Sequence, residues 1–353
     1  MASIIPIYIG TYTSGGSAGI YRCALNPKTG VLSVKDTAPG KNPSFLALTP
    51  DKQTLFAVWE NGEHDSEPGG ALAAYRVGKD GLTLLGARNV RGVAPCHVAL
   101  SPGGRWAVTS NYGDGTHTVV FLAPDGSLDT VAGVTQNAGN PGPLPAQEDG
   151  PHAHSVYFSP DGAYLLACDL GVDRVIVYTF DDAAGTLREA AFLELPAGTG
   201  PRHFVWHPAL TSTAYVVGEH ANTATRLRFD ATSATLAAFE VVSTLPDPAT
   251  RSFAADIHIS ADGRFVYASN RGDDSLAVFA TDGVTGSLSA VGHAPCGGAN
   301  PRNFCLVPGT DFLLCAHQDS DTVSVFRVEA DGMPREVEGA GISVPTPTCV
   351  LPG

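Results

Sequence analysis

The chain has 353 residues, of which 43% are hydrophobic and 16% are charged. That composition excludes a disordered chain, and 40 glycines with 26 prolines favour short strands and tight turns over helices. The formal net charge of −14 repels phosphate backbones, so nucleic acid is excluded as an expected partner.

The first residues lack a basic segment followed by a long apolar stretch, so no signal peptide is predicted. No run of about 18 apolar residues occurs, which argues against a transmembrane helix and a membrane partner. The seven cysteines form no C-x-x-C pair, and four of them, Cys168, Cys305, Cys315 and Cys349, lie inside apolar runs. We therefore expect buried, reduced thiols in a cytoplasmic protein.

In chain order, the first predicted elements are three apolar segments, YIGTYT, GIYRCALN and GVLSVKDTA. A repeated unit of strand, turn and strand follows, and its copies begin at Ser44, Cys96, His154, Arg202, Ala255, Arg302 and Thr346. The turn residues are Pro50, Pro102, Pro160, Pro208, Ala261, Pro308 and Pro352, which lie about 50 residues apart. A third strand and a short fourth segment follow each copy except the seventh. Four strands per unit of this length predict an all-β, seven-bladed propeller forming a single domain over residues 1–353.

Within the first strand of each unit, the residues four and two before the turn lie on one face of the strand. Thirteen of these fourteen residues are apolar, and Thr348 is the exception. Such a period of two predicts a face that packs between neighbouring blades. The three N-terminal segments lack a first strand, and the C-terminal segment PTPTCVLPG lacks the other three. We expect the two ends to complete one blade by strand pairing, which hides a sheet edge.

Antiparallel strands return to the rim where they start, so the start of each first strand and the end of each second strand should gather at one opening. The strand starts include His154, Arg202 with His203, and Arg302. The strand ends include Glu219, which requires a two-residue insertion in its turn, and Asn270 with Arg271. Arginine side chains can bind a phosphate or carboxylate in a bidentate manner.

Each candidate also has a structural interpretation, such as a strand cap, a turn residue or a salt bridge between blades. His152 and His154 could share a strand face as metal ligands do, but no third ligand is evident and no metal site is predicted. For His258 a structural role is favoured, and Asp256 is left open between the two interpretations. The Pro- and Gly-rich segment 135–150 is expected to form an ordered flap over the rim.

Several of these segments together resemble one family, the seven-bladed lactonases. They are YIGTYT, HSVYFSPDG, GPRH, the strand-end Glu219 and DIHISADGRFVYASNRG, and the resemblance extends over essentially the whole chain. The family includes propeller-type 6-phosphogluconolactonases and the fungal carboxy-muconate cyclase. The resemblance implies that His154, Arg202, Glu219 and Arg271 are catalytic. We expect Arg302, His203 and Asn270 to bind substrate.

The implied reaction is the hydrolysis of 6-phospho-D-glucono-1,5-lactone to 6-phosphogluconate, a step of the pentose phosphate pathway. Arginines would hold this small anionic lactone, Glu219 or His154 would act as the general base, and no metal or organic cofactor is needed. One alternative is a cycloisomerase or another lactonase acting on a carboxylated substrate, which the same cations would hold. A second alternative is a non-catalytic binding propeller, which would need an apolar rather than a cationic rim.

Overall fold

The computed structural model describes residues 4–353. Strands dominate these residues, and the helical content is two short 3-10 helices, Thr13–Gly15 and Pro145–Gln147. No helix in the described range is long and apolar enough to cross a membrane.

The strands form seven large antiparallel sheets, numbered here in chain order, and one separate two-stranded sheet. Sheet 1 begins with β1 (Ile5–Thr11), β2 (Gly19–Leu25) and β3 (Leu32–Pro39). Sheet 2 contains β4 (Phe45–Leu48), β5 (Thr54–Trp59), β8 (Ala71–Gly78) and β9 (Gly81–Asn89), with a small hairpin of β6 (Glu63–His64) and β7 (Glu67–Pro68) inserted before β8. Sheet 3 contains β10 (Pro95–Leu100), β11 (Trp106–Asn111), β12 (Thr116–Leu122) and β13 (Leu128–Gln136).

Sheet 4 contains β14 (Ala153–Phe158), β15 (Tyr164–Asp169), β16 (Arg174–Asp181) and β17 (Thr186–Glu194). Sheet 5 contains β18 (Pro201–Trp206), β19 (Thr213–Gly218), β20 (Thr223–Asp230) and β21 (Thr235–Ser243). Sheet 6 contains β22 (Phe253–Ile259), β23 (Phe265–Arg271), β24 (Ser275–Thr281) and β25 (Leu288–Pro295). Sheet 7 contains β26 (Pro301–Leu306), β27 (Phe312–His317), β28 (Thr322–Val328), β29 (Pro334–Glu336) and β30 (Ile342–Ser343), and β31 (Pro347–Pro352) completes sheet 1.

The predicted all-β, seven-bladed architecture is confirmed, including the blade made from both ends of the chain. Sheet 1 has the strand order β3-β2-β1-β31, in which Ile9 pairs with Val350 and Ile7 with Pro352. In sheet 7 the fourth position is divided between β29 and β30, which both pair with β28. The repeat pattern did not predict this division or the small hairpin in sheet 2.

The described residues group into two compact units. Unit 1 contains the described residues up to Thr37, together with His203–Phe229 and Ala238–Gly353. Unit 2 contains Ala38–Arg202 and Asp230–Ala237. The organisation of the chain as one domain stays a prediction.

The alternating residues of the first strands pack against the preceding sheet, as their period of two predicts. In unit 2, Val98 and Leu100 of β10 pack on Phe56 and Val58 of sheet 2. In unit 1, Phe304 of β26 is fully buried against residues of sheet 6, among them Tyr267. These apolar layers fix the relative positions of adjacent strand starts, where the candidate site residues lie.

The seventh repeat has a different register from the one that the turn position of Pro352 predicts, so that alignment is wrong by two residues. Pro347 pairs with Thr11 in sheet 1, and Pro95 pairs with Asn111 at the equivalent place in sheet 3. Counting five residues onward from each proline, Pro352 occupies the position of Leu100, which is the last residue of its strand. Its resemblance to a turn proline is coincidental. Val350 then takes the buried position assigned to Thr348, and the one polar exception to the pattern disappears.

All seven cysteines lie in the described part of the chain, and all are free and buried. Burial raises the pKa of the Cys23 and Cys168 thiols to about 12 in each case. The predicted burial of the cysteines is confirmed, their reduced state stays a prediction, and these two groups are poor nucleophiles at neutral pH.

Candidate functional site

A β-bulge recurs where the first strand of a sheet begins. The pairing register shifts between Ala153 and Ser155 in sheet 4, and between Pro301 and Asn303 in sheet 7. His154 and Arg302, which are both predicted site residues, lie at these two register shifts. Because a bulge re-aims a side chain away from the normal alternation, it can present these residues differently from their strand neighbours.

Glu219 and Arg271 form an ion pair in unit 1, with 2.8 Å between Oε2 and Nη2. Glu219 directly follows β19, and Arg271 is the last residue of β23. Gly218 pairs with Thr223 in sheet 5, and Asn270 pairs with Ser275 at the equivalent place in sheet 6. The next residue of each strand, Glu219 or Arg271, therefore occupies the same position in its own sheet. The turn between β18 and β19 therefore holds one extra residue. The predicted insertion of two residues is wrong by one.

Backbone groups at the start of β22 hold this pair in place. Arg271 Nε donates to the Phe253 carbonyl at 3.2 Å, and Arg271 Nη2 donates to the Ala254 carbonyl at 3.4 Å. The Ala254 amide donates to the backbone carbonyl of Glu219 at 3.1 Å. The Arg271 and Glu219 side chains remain 14% and 16% exposed, so water or a small ligand can reach them. A carboxylate beside a fixed guanidinium can accept a proton and stabilise a developing oxyanion.

Arg302 contacts Tyr12, a residue of the first strand end that was not selected as a site candidate. Its Nη2 donates to the Tyr12 hydroxyl at 2.9 Å, and the guanidinium lies 5.3 Å from the centre of the Tyr12 ring. Tyr12 directly follows β1, which is the position that Glu219 occupies after β19. Because the two positions are equivalent, the repeat pattern could have identified Tyr12 as a site candidate.

His203, Asp256, His258 and Asn303 form a polar group in unit 1, called here the Asp256 cluster, in which the His258 side chain is 37% exposed and the other three residues are buried. His203 Nδ1 lies 2.7 Å from Asp256 Oδ1, and His258 Nε2 lies 3.0 Å from Asp256 Oδ2. Burial acts to raise the pKa of Asp256, but the adjacent His258 and His203 hold it well below its usual range. Partial burial acts to lower the pKa of His258, but Asp256 and a hydrogen bond to the Phe304 backbone raise it. The favoured structural role of His258 agrees with these contacts.

The pKa shifts in the Asp256 cluster predict a specific pH dependence of stability. Because the pKa of His258 is raised in the folded protein, the charged form of His258 stabilises the fold. This contribution is complete at pH values below about 6.5, the pKa of histidine in the unfolded chain. This contribution is lost as the pH rises through the folded pKa. Because Asp256 has a lowered pKa, its contribution is fully present above its unfolded pKa of about 4 and is lost as the pH falls further through its folded pKa. We expect His258→Gln, which keeps a donor for Asp256, to lower Tm by about 2 °C at pH 5–6.

The Tm difference between wild type and His258→Gln should shrink steadily above pH 6.5. Thermal unfolding followed by circular dichroism from pH 4.5 to 9 measures it. A difference that stays constant over this range would show that the charge of His258 does not contribute to folding.

Asn270 and His203 are both buried, although they were expected to bind substrate. Asn270 Nδ2 donates to the Thr244 carbonyl at 2.7 Å and to Ser275 Oγ at 3.1 Å. His203 is 3% exposed, and its Nδ1 is bound to Asp256. These contacts favour structural roles for both side chains, because neither presents its bonded atoms to solvent.

In unit 2, His154 and His152 both contact Tyr112. The His152 ring stacks on Tyr112 with 4.5 Å between centres, whereas the His154 ring meets it edge-on at 5.8 Å. His152 Nδ1 lies 2.9 Å from the Tyr112 carbonyl oxygen. The described residues contain no cluster of three or more histidine, cysteine or acidic side chains that could hold a metal ion.

Arg202 is 2% exposed, and its backbone carbonyl accepts a hydrogen bond from Ser155 Oγ at 2.6 Å. Ser155 directly follows His154, so this contact links the strand starts that carry the two predicted catalytic residues of unit 2. The other five predicted site residues, Glu219, Arg271, Arg302, His203 and Asn270, belong to unit 1. The convergence of both sets on one opening stays a prediction.

The segment 137–150 packs on the turn that follows β15. Gln147 Nε2 donates to the Leu170 carbonyl at 2.8 Å, and the Gly142 amide donates to the Gly171 carbonyl at 2.8 Å. A Cβ atom on Gly171 would lie 1.8 Å from the Gly150 carbonyl oxygen, so the close approach requires glycine. The segment is therefore ordered against sheet 4 directly before His152, and its functional role stays a prediction.

Comparison with known proteins identifies the family of this chain. The model of the family "Lactonase, 7-bladed beta-propeller" matches residues 6–352. A 6-phosphogluconolactonase of Bacillus subtilis (strain 168) is 34% identical over 347 residues, which are 97% of this chain and 97% of that protein. A 6-phosphogluconolactonase of Formosa agariphila is 31% identical, over 92% of this chain and 93% of that one.

A solved structure gives the same result. The periplasmic gluconolactonase PpgL of Pseudomonas aeruginosa superimposes with a TM-score of 0.90 at 33% identity, covering 99% of each chain. The match to the family model spans nearly the whole sequence, and the seven sheets have the strand arrangement that its description states. The chain therefore belongs to the seven-bladed β-propeller lactonase family.

Proposed function

We propose that this protein hydrolyses 6-phospho-D-glucono-1,5-lactone to 6-phosphogluconate. The names of the Bacillus subtilis and Formosa agariphila relatives support this substrate. The observation that carries the proposed chemistry is the ion pair of Glu219 and Arg271, which is partly exposed and fixed by the backbone of β22. It provides a proton acceptor and a stabiliser of negative charge within 2.8 Å of each other.

In the proposed reaction, water attacks the lactone carbonyl carbon, and Glu219 or His154 accepts its proton. The carbonyl oxygen becomes an oxyanion, which Arg271 stabilises. The bond from the carbonyl carbon to the ring oxygen then breaks, and the ring oxygen takes up the proton as a hydroxyl group. Arg202 and Arg302 are assigned to the phosphate, because guanidinium groups bind phosphate oxygens in a bidentate manner. We place the enzyme in the pentose phosphate pathway and in the cytoplasm.

A second candidate is an unphosphorylated sugar lactone such as glucono-1,5-lactone. The similarity to PpgL, which is described as a gluconolactonase, favours it. The Arg302 guanidinium also has a hydrogen-bond partner within the chain, the Tyr12 hydroxyl, so it can order a site without a phosphate group.

The two substrates are distinguished by an assay on freshly made 6-phosphogluconolactone and on glucono-1,5-lactone. We expect the wild type to exceed spontaneous hydrolysis, with the higher kcat/KM on the phosphorylated lactone. Arg202→Ala should lower kcat/KM on that substrate about 10–100-fold, mainly through KM. Arg188→Ala, on the exposed face of β17, is the matched control and should behave as wild type.

Higher kcat/KM on glucono-1,5-lactone would support the second candidate. A rate equal to spontaneous hydrolysis on both lactones would contradict the proposed function. Unchanged turnover in Arg202→Ala would remove Arg202 from the site.

A further inference from the structure

The carboxylate of Asp256 accepts hydrogen bonds from five N–H donors. Oδ1 accepts from His203 Nδ1 at 2.7 Å and from the Ile257 amide at 2.9 Å. Oδ2 accepts from His258 Nε2 at 3.0 Å, from Asn303 Nδ2 at 2.6 Å and from the Phe304 amide at 3.2 Å. With 2% of its surface exposed, Asp256 has almost no contact with water, so these donors replace its solvation.

These bonds connect first strands that belong to different sheets. His203 lies in β18, Asp256 and His258 in β22, and Asn303 in β26. Asn303 Oδ1 in turn accepts from the Val350 amide of β31 at 2.6 Å. Backbone hydrogen bonds between strands join only strands of the same sheet. The Asp256 carboxylate therefore supplies a polar connection between sheets that backbone pairing does not.

The same carboxylate also lies in the bulge of β22. The pairing with β23 shifts between Ala254 and Ile257, and the Asp256 amide donates to Ser269 Oγ at 3.2 Å across this irregularity. Immediately before the bulge, the Phe253 and Ala254 carbonyls hold the guanidinium of Arg271. On the neighbouring strand, Asn303 directly follows Arg302. Fixing Asp256 therefore fixes the backbone beside both arginines.

We propose that Asp256 is a positioning residue of the lactonase site, whose buried carboxylate sets the strand starts that orient Arg271 and Arg302. The assignment rests on the proposed function for its catalytic consequence. The residue acts through His203, Asn303 and the β22 backbone, and it takes no part in the chemical steps.

Asp256→Asn is the informative substitution. An asparagine oxygen can replace Oδ1, but its NH₂ group then faces the donors His258, Asn303 and Phe304, which lose their acceptor. Leu25→Ala is the matched control, because it removes a fully buried side chain from β2 in sheet 1 and lowers stability by core truncation alone. Thermal unfolding sets an assay temperature at which both variants are folded.

Two readouts are measured on each protein: lactone hydrolysis, and the ¹⁵N-resolved Nε–H signals of Arg271 and Arg302. We expect Asp256→Asn to lower kcat/KM about 10–100-fold and to broaden or shift both arginine signals. Leu25→Ala should keep both signals and wild-type kinetics. Unchanged arginine signals in Asp256→Asn, with kcat/KM within twofold of Leu25→Ala, would overturn the positioning role.

The signals also separate this inference from the proposed function. If the wild type hydrolyses neither lactone, the proposed function fails. The arginine signals alone then decide whether Asp256 positions Arg271 and Arg302. Their loss in Asp256→Asn would still support the positioning of both guanidinium groups, and their persistence would reject it.

Discussion

Arg271→Ala is expected to lower kcat/KM for lactone hydrolysis about 10²–10³-fold, the cost of removing one well-placed oxyanion donor. Most of this loss should be in kcat, because the negative charge on the carbonyl oxygen develops only in the transition state. The substitution also leaves Glu219 without the guanidinium that lies 2.8 Å from its carboxylate. Steady-state kinetics on freshly made lactone, corrected for spontaneous hydrolysis, provide the measurement.

Glu219→Gln tests the other half of the pair. It keeps the shape of the side chain and a hydrogen-bond acceptor for Arg271 but removes the basic carboxylate, so a similar fall in kcat is expected if Glu219 is the general base. If only His154→Ala abolishes turnover, the base is His154. Arg264→Ala is the control, because Arg264 is a largely exposed residue of the turn between β22 and β23 and is paired with Asp262 at 2.7 Å. Wild-type kinetics in Arg271→Ala would exclude the pair from the reaction.

The second large effect is expected from removing β31. A chain ending at residue 346 loses the five register pairs between β31 and β1 and leaves that edge of sheet 1 unpaired. It also removes Val350 from a core cluster that contains Ile7, Ile9 and Val325. Each backbone hydrogen bond contributes about 1 kcal/mol, and a buried aliphatic side chain contributes about 2–3 kcal/mol. Because total stabilities are about 5–15 kcal/mol, we expect the truncated chain to lose cooperative unfolding.

A synthetic peptide of residues 345–353 provides the control for this experiment. Added in excess, it should restore a cooperative thermal transition by pairing with the open edge of β1, whereas the same peptide with Val350→Asp should not. A truncated chain that unfolds cooperatively within a few degrees of the wild-type Tm would show that β31 is dispensable for folding.

The fold was predictable from sequence because its signal is repeated. Six of the seven first strands were assigned correctly from the alternation of apolar residues before a turn. The seventh was displaced, since Pro352 in LPG resembles the turn prolines although it ends a strand. A single residue type outweighed the alternation there, and giving the apolar pattern priority would have placed Val350 correctly.

The candidate site was predictable only in part. Repeat position identified Glu219 and Arg271 as strand-end residues, and the structure brings them into contact. Position in a repeat does not state what a side chain contacts, so Asn270 was selected although its amide is bonded to Thr244 and Ser275. The partners of the Asp256 carboxylate lie 47 to 53 residues away along the chain, except for His258 and the adjacent backbone. No local pattern marks such contacts.

Pairing residue 7 with residue 352 has a consequence for how the protein is made. During synthesis, β1 to β3 leave the ribosome before sheets 2 to 7, but their sheet remains one strand short until translation has passed β31. The nascent chain therefore carries an exposed edge of β1 while all the intervening sheets are made. Closing so long a loop is slow, and the incomplete sheet exposes unpaired backbone groups along β1 until β31 arrives.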